Sequence, residues 1–403
     1  MATNFLHAPR YAHIVGWGKA LPERVLTNAD LEAIVDTSDV WIRERTGIRE
    51  RRIAGEHDTT VSLGFAAARQ ALEVADVLPA EIDLIIVATS TPEHIFPSSA
   101  SLIQDALGAS AAGAFDLSAA CTGFIYALSM AAQAIISGSI TTALVIGSET
   151  MSRLVNWQDR GTCILFGDGA GAVVLRASDI PGGILASVLH SDGSGRDLLN
   201  APLVGSPDPG LRGNGEVAPF KMTMNGQEVF RFATRVIRES VLEVLEKAGL
   251  TLADVDWVIP HQANERIITR AAKSLDLPIE RFIMNLDQYG NTSAASIPIA
   301  MAEAAERGDL KPNDTVVLVA FGAGLAWGAT ALTWGVTPPP EQARLNRYRR
   351  EMAYFLARQR SNLVRTLRRL LWLVQLSPLR DILRRLDHEE QPPIGGNDRG
   401  SAH

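Results

Sequence analysis

The sequence predicts an α/β fold made of two pseudo-symmetric halves, and three observations carry that expectation. Short apolar runs such as Ile85-Ile86-Val87-Ala88 and Ala143-Leu144-Val145-Ile146 mark strands covered on both faces, as in a largely parallel sheet. Segments of helical spacing alternate with these runs, the pattern of a layered α/β domain. The pattern also occurs twice: helix 60–75 followed by Glu81-Ile82-Asp83-Leu84-Ile85-Ile86 returns as helix 229–248 followed by Asp254-Val255-Asp256-Trp257-Val258-Ile259. Val255 thus stands to the second half as Ile82 does to the first. A period approaching half the chain signals a duplicated half-domain and not a solenoid.

Taken in order, His13 to Gly18 reads as a first strand. A helix follows Thr27-Asn28, capped by one of them, with Leu31, Ile34 and Val35 inward. Trp41 to Arg52 is dense in arginine. It is either a solvated face or a site where Trp41 stacks on a base and arginines hold phosphates. Helix 60–75, strand 82–89 and a helix near 98–107 lead to an apolar segment, Ala112 to Leu117. The next helix carries Phe124, Leu128, Ala131 and Ile135 on one face. Strand 143–147 follows. The glycines of Phe166-Gly167-Asp168-Gly169-Ala170-Gly171 precede a β-rich run, so they make a tight turn into a strand and not a phosphate loop. Residues 205–219, rich in Gly and Pro, read as a surface loop. In the second half, Gly290-Asn291-Thr292-Ser293 enters a small-residue helix, 294–307, before strand 315–320. This mirrors Cys121-Thr122-Gly123 at nearly the same offset and places Cys121 and Asn291 at equivalent helix starts, their side chains converging near the pseudo-two-fold axis.

Composition bounds the function. The 403 residues are 46% hydrophobic and 21% charged, ordinary for a soluble globular protein. The net charge of -7 implies no general nucleic-acid affinity. From Glu341 onward, however, there are 13 Arg, no Lys and 7 acidic residues, which sets the tail apart as a basic unit. Two cysteines, Cys121 and Cys163, suit a reducing cytoplasm better than a disulfide framework. Met1 to Arg10 has no apolar core of a secretory signal, and no apolar run is long enough to span a bilayer. Metal-ligand spacings are absent, so neither a metal nor another cofactor is expected.

Three stretches carry chemistry. In Ser118-Ala119-Ala120-Cys121-Thr122-Gly123-Phe124, Cys121 stands where a strand hands over to a helix. There free N–H groups and the helix dipole favour an anion, so the thiol is expected to lose its proton more easily. The plain alternative is a buried structural cysteine. Val258-Ile259-Pro260-His261-Gln262-Ala263-Asn264 ends a buried strand in a histidine at its carboxyl edge, where ligands bind in α/β sheets. Tyr289-Gly290-Asn291-Thr292-Ser293 adds an asparagine that would otherwise be only a helix cap. Three structural explanations together are harder to sustain than one site.

The ordered motifs Trp41…Arg45-Thr46-Gly47-Ile48-Arg49, Ala120-Cys121-Thr122-Gly123-Phe124, Asp159-Arg160-Gly161-Thr162, Phe166-Gly167-Asp168-Gly169-Ala170-Gly171, Pro260-His261-Gln262-Ala263-Asn264 and Gly290-Asn291-Thr292-Ser293 resemble those of β-ketoacyl-acyl carrier protein synthase III. That family comprises initiating condensing enzymes of the thiolase fold. The resemblance runs over about residues 12–335 and implies halves at 1–180 and 181–337, followed by a 338–403 extension. It implies that Cys121 takes an acyl group from coenzyme A and that His261 and Asn291 stabilise the enolate from malonyl carrier protein. An oxyanion hole would form from the amides of Cys121 and Ala323, where Ala323 stands at a position that some members fill with glycine and a positive φ would cost energy. Trp41, Arg45, Arg160, Gly226, Phe230 and Asn264 would hold coenzyme A, with Gln227 standing where the family has Asn. Phe96 and Phe321 would shape acyl pockets, Phe96 that of a partner in a homodimer. Arg231, Arg266 and Lys273 would dock the acidic carrier. Cys163 has no matching role and reads as core.

The rival readings are a starter-unit condensing enzyme or acyltransferase of a secondary-metabolite pathway, and a non-catalytic module recruiting partners through its tail. In that tail, Pro338-Pro339-Pro340 is a stiff break, 341–376 reads as a helix and Leu379 to Leu386 repeats its pattern. Its apolar residues recur every three to four positions among arginines. The stretch 341–386 either packs on the catalytic body or its mate, lies on an anionic membrane, or meets an acidic protein.

Overall fold

The structure, a computed structural model, describes residues 10–202, 221–335 and 343–375. The 205–219 loop, the Pro338-Pro339-Pro340 break and the segment Leu379 to Leu386 lie outside the described residues.

Strands β1 (Tyr11–Ala20), β2 (Leu84–Ala88), β3 (Gly113–Leu117), β4 (Thr142–Thr150) and β5 (Asp168–Ser178) form one sheet in the order β1-β5-β4-β2-β3. β2 runs parallel to β3 and β4, and β5 runs antiparallel to β4 and β1. Strands β6 (Ile184–Ser191), β7 (Trp257–Pro260), β8 (Thr315–Gly322) and β9 (Ala326–Thr333) repeat this as β6-β9-β8-β7, with the same directions. A single parallel bridge, Val258 to Phe282, stands where β3 would recur. The sequence reading leaves β6 and β9 unassigned.

The longer helices of the two halves are α1 (Thr60–Ala75), α2 (Ser99–Leu107), α3 (Gly123–Ile136), α4 (Gly226–Ala248), α5 (Glu265–Leu275) and α6 (Ser296–Arg307). Helices α3 and α6 lie between the sheets, where Phe124, Leu128 and Ala131 meet Ile297, Ala300 and Met301 in one buried cluster. Helices α1 and α2 cover the outer face of the first sheet, and α4 and α5 that of the second. The result is five layers, α-β-α-β-α, the thiolase-like arrangement. Close layer contact depends on residues without side chains. A Cβ on Gly16 or Gly18 of β1 would collide with the carbonyl of Ala71 or Ala67, so α1 settles on β1 only over glycine.

Two expectations need correction. The helix after Thr27 spans only Asn28–Glu32, closed by a capping box from Thr27 to Asp30. Ile34 therefore falls beyond it and is 48% exposed, while Leu31 is buried. The repeat offset is also uniform. β2 to β7, β4 to β8 and α3 to α6 all begin at the offset that takes Leu84 to Trp257. The same offset takes Cys121 to Ala294, so Ala294 is its counterpart and Asn291 is not its equivalent.

A further long helix, α7 (Ala343–Gln375), follows the body. Its first half is docked against α1 and α2. Arg350 is buried and bonds Asp76 at 2.9 Å, Asn346 bonds the same carboxylate at 2.8 Å, and Tyr354 packs edge-on against Phe65. Asp76 is free to make both bonds because it ends α1 in the left-handed conformation, φ +52°, which Asp tolerates better than most residues.

Candidate active site

Cys121 lies in the 3-10 turn Ala120–Thr122 that links β3 to α3, and it is buried. Ala120 before it has φ +47°, and its counterpart Ser293 has φ +50°. Each left-handed residue costs about 1–2 kcal/mol, held in place by the packing of the two turns against each other. The Ser293 hydroxyl donates to Sγ of Cys121 at 3.5 Å. Gly322, at the end of β8, backs the nucleophile: a Cβ there would stand 2.9 Å from both the Cys121 nitrogen and its Cβ.

The expectation of an easily ionised thiol is overturned. Burial pushes Cys121 up to about 12, with Ser293 pulling down and the buried carboxylate of Glu149 pushing further up. Removal from water outweighs the few N–H groups of the turn. Glu149 lies near the end of β4, at the position that the repeat makes equivalent to Gly322. Its oxygens accept from the Ser90 N–H at 3.0 Å and the Thr91 hydroxyl at 2.7 Å. Its own pKa is raised, chiefly by burial, against Thr91, Ser90, Ser293 and the Ala294 amide, which lower it.

His261 follows β7 and is buried against Phe321, ring centroids 5.3 Å apart. Its Nδ1 lies 2.7 Å from Oγ of Ser296, which also accepts from the Gln262 N–H at 3.4 Å. A Ser296 hydroxyl that donates to Nδ1 leaves the ring proton on Nε2, the other nitrogen. Burial lowers the imidazole to about 3, so it is neutral near pH 7 and offers a neutral donor.

Asn291 is fixed through its backbone: its N–H donates to the Leu165 carbonyl at 2.8 Å and its carbonyl accepts from Gly167 at 3.0 Å. Its side-chain oxygen accepts from the Ser293 N–H at 2.8 Å, so the NH2 end is left to donate elsewhere. Gln262 ties the two strand ends together, donating to the Pro260 and Ile283 carbonyls at 2.7 and 3.1 Å and accepting from the Asn285 N–H at 3.0 Å.

Cys121, His261, Asn291, Phe321 and Gly322 line one cavity of about 720 Å³ with Trp41, Arg45, Gly226, Gln227, Phe230, Arg231, Asn264 and Arg266. Arg45 and Arg160 stand 5.2 and 5.0 Å from the Trp41 ring centroid. Gly161, but not Arg160, lines the cavity itself. Asn264 caps α5 and donates to the Arg45 carbonyl at 3.0 Å, joining two walls. Lys273 falls outside, in a neighbouring groove shared with Arg43, Arg266 and Arg270. Phe96 is 84% exposed and lies away from its own chain's cavity. Ala323 follows Gly322 without a positive φ; Gly324 takes that conformation instead, at +140°, so the expected strain at Ala323 is absent.

The arginine-dense stretch divides between roles. Arg51 is fully buried and donates to the Leu26 and Ile164 carbonyls at 3.2 and 2.7 Å, a structural role, with burial holding it down to about 10. Cys163 is buried core. Ser296, Glu149, Gly322 and Gln262 carry no sequence-based role. Only the uniform repeat offset, applied position by position, would have paired Glu149 with Gly322.

A buried thiol, a neutral imidazole and a carboxamide donor lining one cavity in a thiolase-like fold define an acyl-transferring condensing enzyme. The comparisons with known proteins agree. Residues 115–193 match the family 3-oxoacyl-[acyl-carrier-protein (ACP)] synthase III, and residues 245–334 match its C-terminal part. The chain is 55% identical over 322 residues to the β-ketoacyl-[acyl-carrier-protein] synthase III of Symbiobacterium thermophilum, covering 80% of this chain and 98% of the relative. It is 50% identical to that of Clostridium acetobutylicum over 321 residues, 80% of this chain and 98% of the relative. The crystal structure of the Aquifex aeolicus synthase III is 49% identical, covers 80% of this chain and 100% of its own, and superposes with a TM-score of 0.75. The chain belongs to the β-ketoacyl-[acyl-carrier-protein] synthase III family.

Proposed function

We propose that the protein condenses a primer acyl-coenzyme A with malonyl-acyl carrier protein, releasing carbon dioxide and a 3-ketoacyl carrier thioester, the first condensation of fatty acid synthesis. The observation that carries this reading is the convergence of Cys121, His261 and Asn291 on one cavity whose other lining residues include Trp41, Arg45 and Arg266. Sγ of Cys121 attacks the thioester carbonyl carbon, and the departing coenzyme thiol keeps the proton that the cysteine gives up. Amides of Cys121 and Ala323 receive the negative oxygen, a role in which Ala323 needs only its N–H. Malonyl thioester then loses carbon dioxide. The electron pair of the broken bond becomes an enolate, whose oxygen accepts from Nε2–H of His261 and the Asn291 amide. A donor that is already neutral loses no charge to solvent, so its hydrogen bond strengthens as the enolate forms. The enolate carbon attacks the acyl carbonyl and Cys121 leaves as the thiolate, which takes a proton from solvent to restore the thiol. Each step moves a proton or an electron pair between groups already present, so the reading calls for no cofactor or metal.

Trp41, Arg45 and Arg160 hold the coenzyme A nucleotide, Gly226, Phe230 and Asn264 line the path of its pantetheine arm, and Phe321 borders the acyl group. Arg231, Arg266 and Lys273 meet the acidic carrier. Ile95 and Phe96, 68% and 84% exposed side by side, favour a homodimer in which each Phe96 closes the other's acyl pocket. Purified protein given malonyl carrier protein and a panel of acyl-coenzyme A primers tests this. Formation of carbon dioxide and a 3-ketoacyl carrier in equal amounts supports it, and acyl transfer without carbon dioxide release refutes it.

A further inference from the structure

Helix α7 has two apolar faces, and only one is used. Arg350, Tyr354 and Ala357 are buried against α1 and α2. On the opposite side of the helix, Tyr348, Phe355, Leu356, Leu363, Leu367 and Leu370 form a stripe, each residue 48% to 69% exposed. At 3.6 residues per turn, the centre of this stripe falls roughly half a turn from the centre of Arg350, Tyr354 and Ala357, so the docked body leaves the stripe facing outward. From Tyr348 to Leu370 the stripe runs about 33 Å at 1.5 Å per residue. The hydrogen bonds to the body span Asn346 to Ser361, so the last turns of α7 run on beyond them.

Charge identifies the occupant. α7 holds nine arginines and one acid, Glu351, which is already paired with Arg69. Arg349 and Arg360 flank the stripe on one side, and Arg358, Arg365 and Arg369 on the other; all are exposed and have no acidic partner among the described residues. A second copy of so basic a helix would be repelled. A protein partner would need a groove matched to a long convex face. A fluid anionic surface needs neither, and it takes apolar side chains into its acyl boundary while arginines meet head groups.

We propose that the outward face of α7 seats the enzyme on anionic lipid bilayers, with the catalytic body carried on the side of the helix that faces away from the lipid. The test uses the full-length protein and vesicles of phosphatidylcholine with or without phosphatidylglycerol. Flotation is expected with the anionic vesicles only, and it should weaken at least tenfold in about 0.5 M salt. The variant Leu356→Glu/Leu363→Glu/Leu367→Glu changes only outward side chains; it should lose flotation and keep condensation turnover, which also reports that it is folded. Equal flotation of wild type and variant would overturn the proposal, as would absence of flotation. A fall in solution mass of the variant would overturn it in favour of a contact between copies, and carrier-protein affinity lost with vesicle binding unchanged would point to a protein partner.

Discussion

Cys121 and Ala294 occupy the same place in the corresponding turns of the two halves, and what faces each one differs by a single side chain. Opposite Cys121 stands Gly322, which leaves space over the nucleophile; opposite Ala294 stands Glu149, whose carboxylate accepts from the Ser90 N–H and the Thr91 hydroxyl. The second turn thus faces a resident carboxyl group where the first leaves room for the oxygen of a reacting thioester.

Because the Glu149 charge raises the Cys121 thiol, Glu149→Gln should lower it. Alkylation of Cys121 by iodoacetamide, located by peptide mass, should become faster at a given pH near neutrality. Alkylation unchanged or slower would show that Glu149 acts only by holding Ser90 and Thr91.

Replacing Gly322 with alanine drives a methyl to 2.9 Å from the Cys121 backbone, closer than Cβ atoms stand in real structures. Acylation should fall by about 10²-fold, the loss that accompanies misplacement of a reacting atom by roughly an ångström. Pre-steady-state acylation with circular dichroism as a folding control measures it; wild-type rates would mean the turn can yield.

His261→Ala and Asn291→Ala should each lose malonyl decarboxylation by about 10²-fold or more while Cys121 is still acylated. Ser296→Ala should weaken decarboxylation about tenfold through the tautomer of His261, with binding of malonyl carrier protein unaltered. Carbon dioxide release and acylation assayed separately distinguish these. Lost acylation with surviving decarboxylation would reverse the roles.

Burial lowers His261 to about 3, so it stays neutral as pH falls through the ordinary imidazole range. kcat/KM for acyl-coenzyme A should therefore show no inflection around pH 6.5. With the thiol raised to about 12, the rate should still be climbing on the alkaline side of neutrality. An inflection near pH 6.5 that disappears in His261→Ala would show that water enters the free cavity.

Much of this was legible in the sequence because buried strands and helical stripes follow short-range periodicity. Helix α1 has the expected span, Thr60–Ala75, since capping at Thr59 and the Asp76 end are local signals. β6 and β9 were not legible: their residues mix small, polar and aromatic types, and while β9 pairs with its neighbour β8, β6 joins the sheet only by pairing with β9 across 143 residues, as between Ser187 and Thr330. The residues Cys121, His261 and Asn291 stand out by type and position. What tunes them does not, because desolvation of Cys121 and the Ser296 bond to His261 arise from layers brought together by tertiary packing. In the tail, helical spacing was readable, but which face docks depends on Asp76, far earlier in the chain.

The account rests on Cys121 as the group that carries the acyl chain. Intact and peptide mass spectrometry of the protein after incubation with acyl-coenzyme A, before and after addition of malonyl carrier protein, tests this most directly. One acyl group per chain should appear on the peptide containing Cys121, be absent in Cys121→Ser, and disappear on addition of malonyl carrier protein as 3-ketoacyl carrier forms. No adduct, an adduct on Cys163, or an adduct that malonyl carrier protein leaves in place would contradict it.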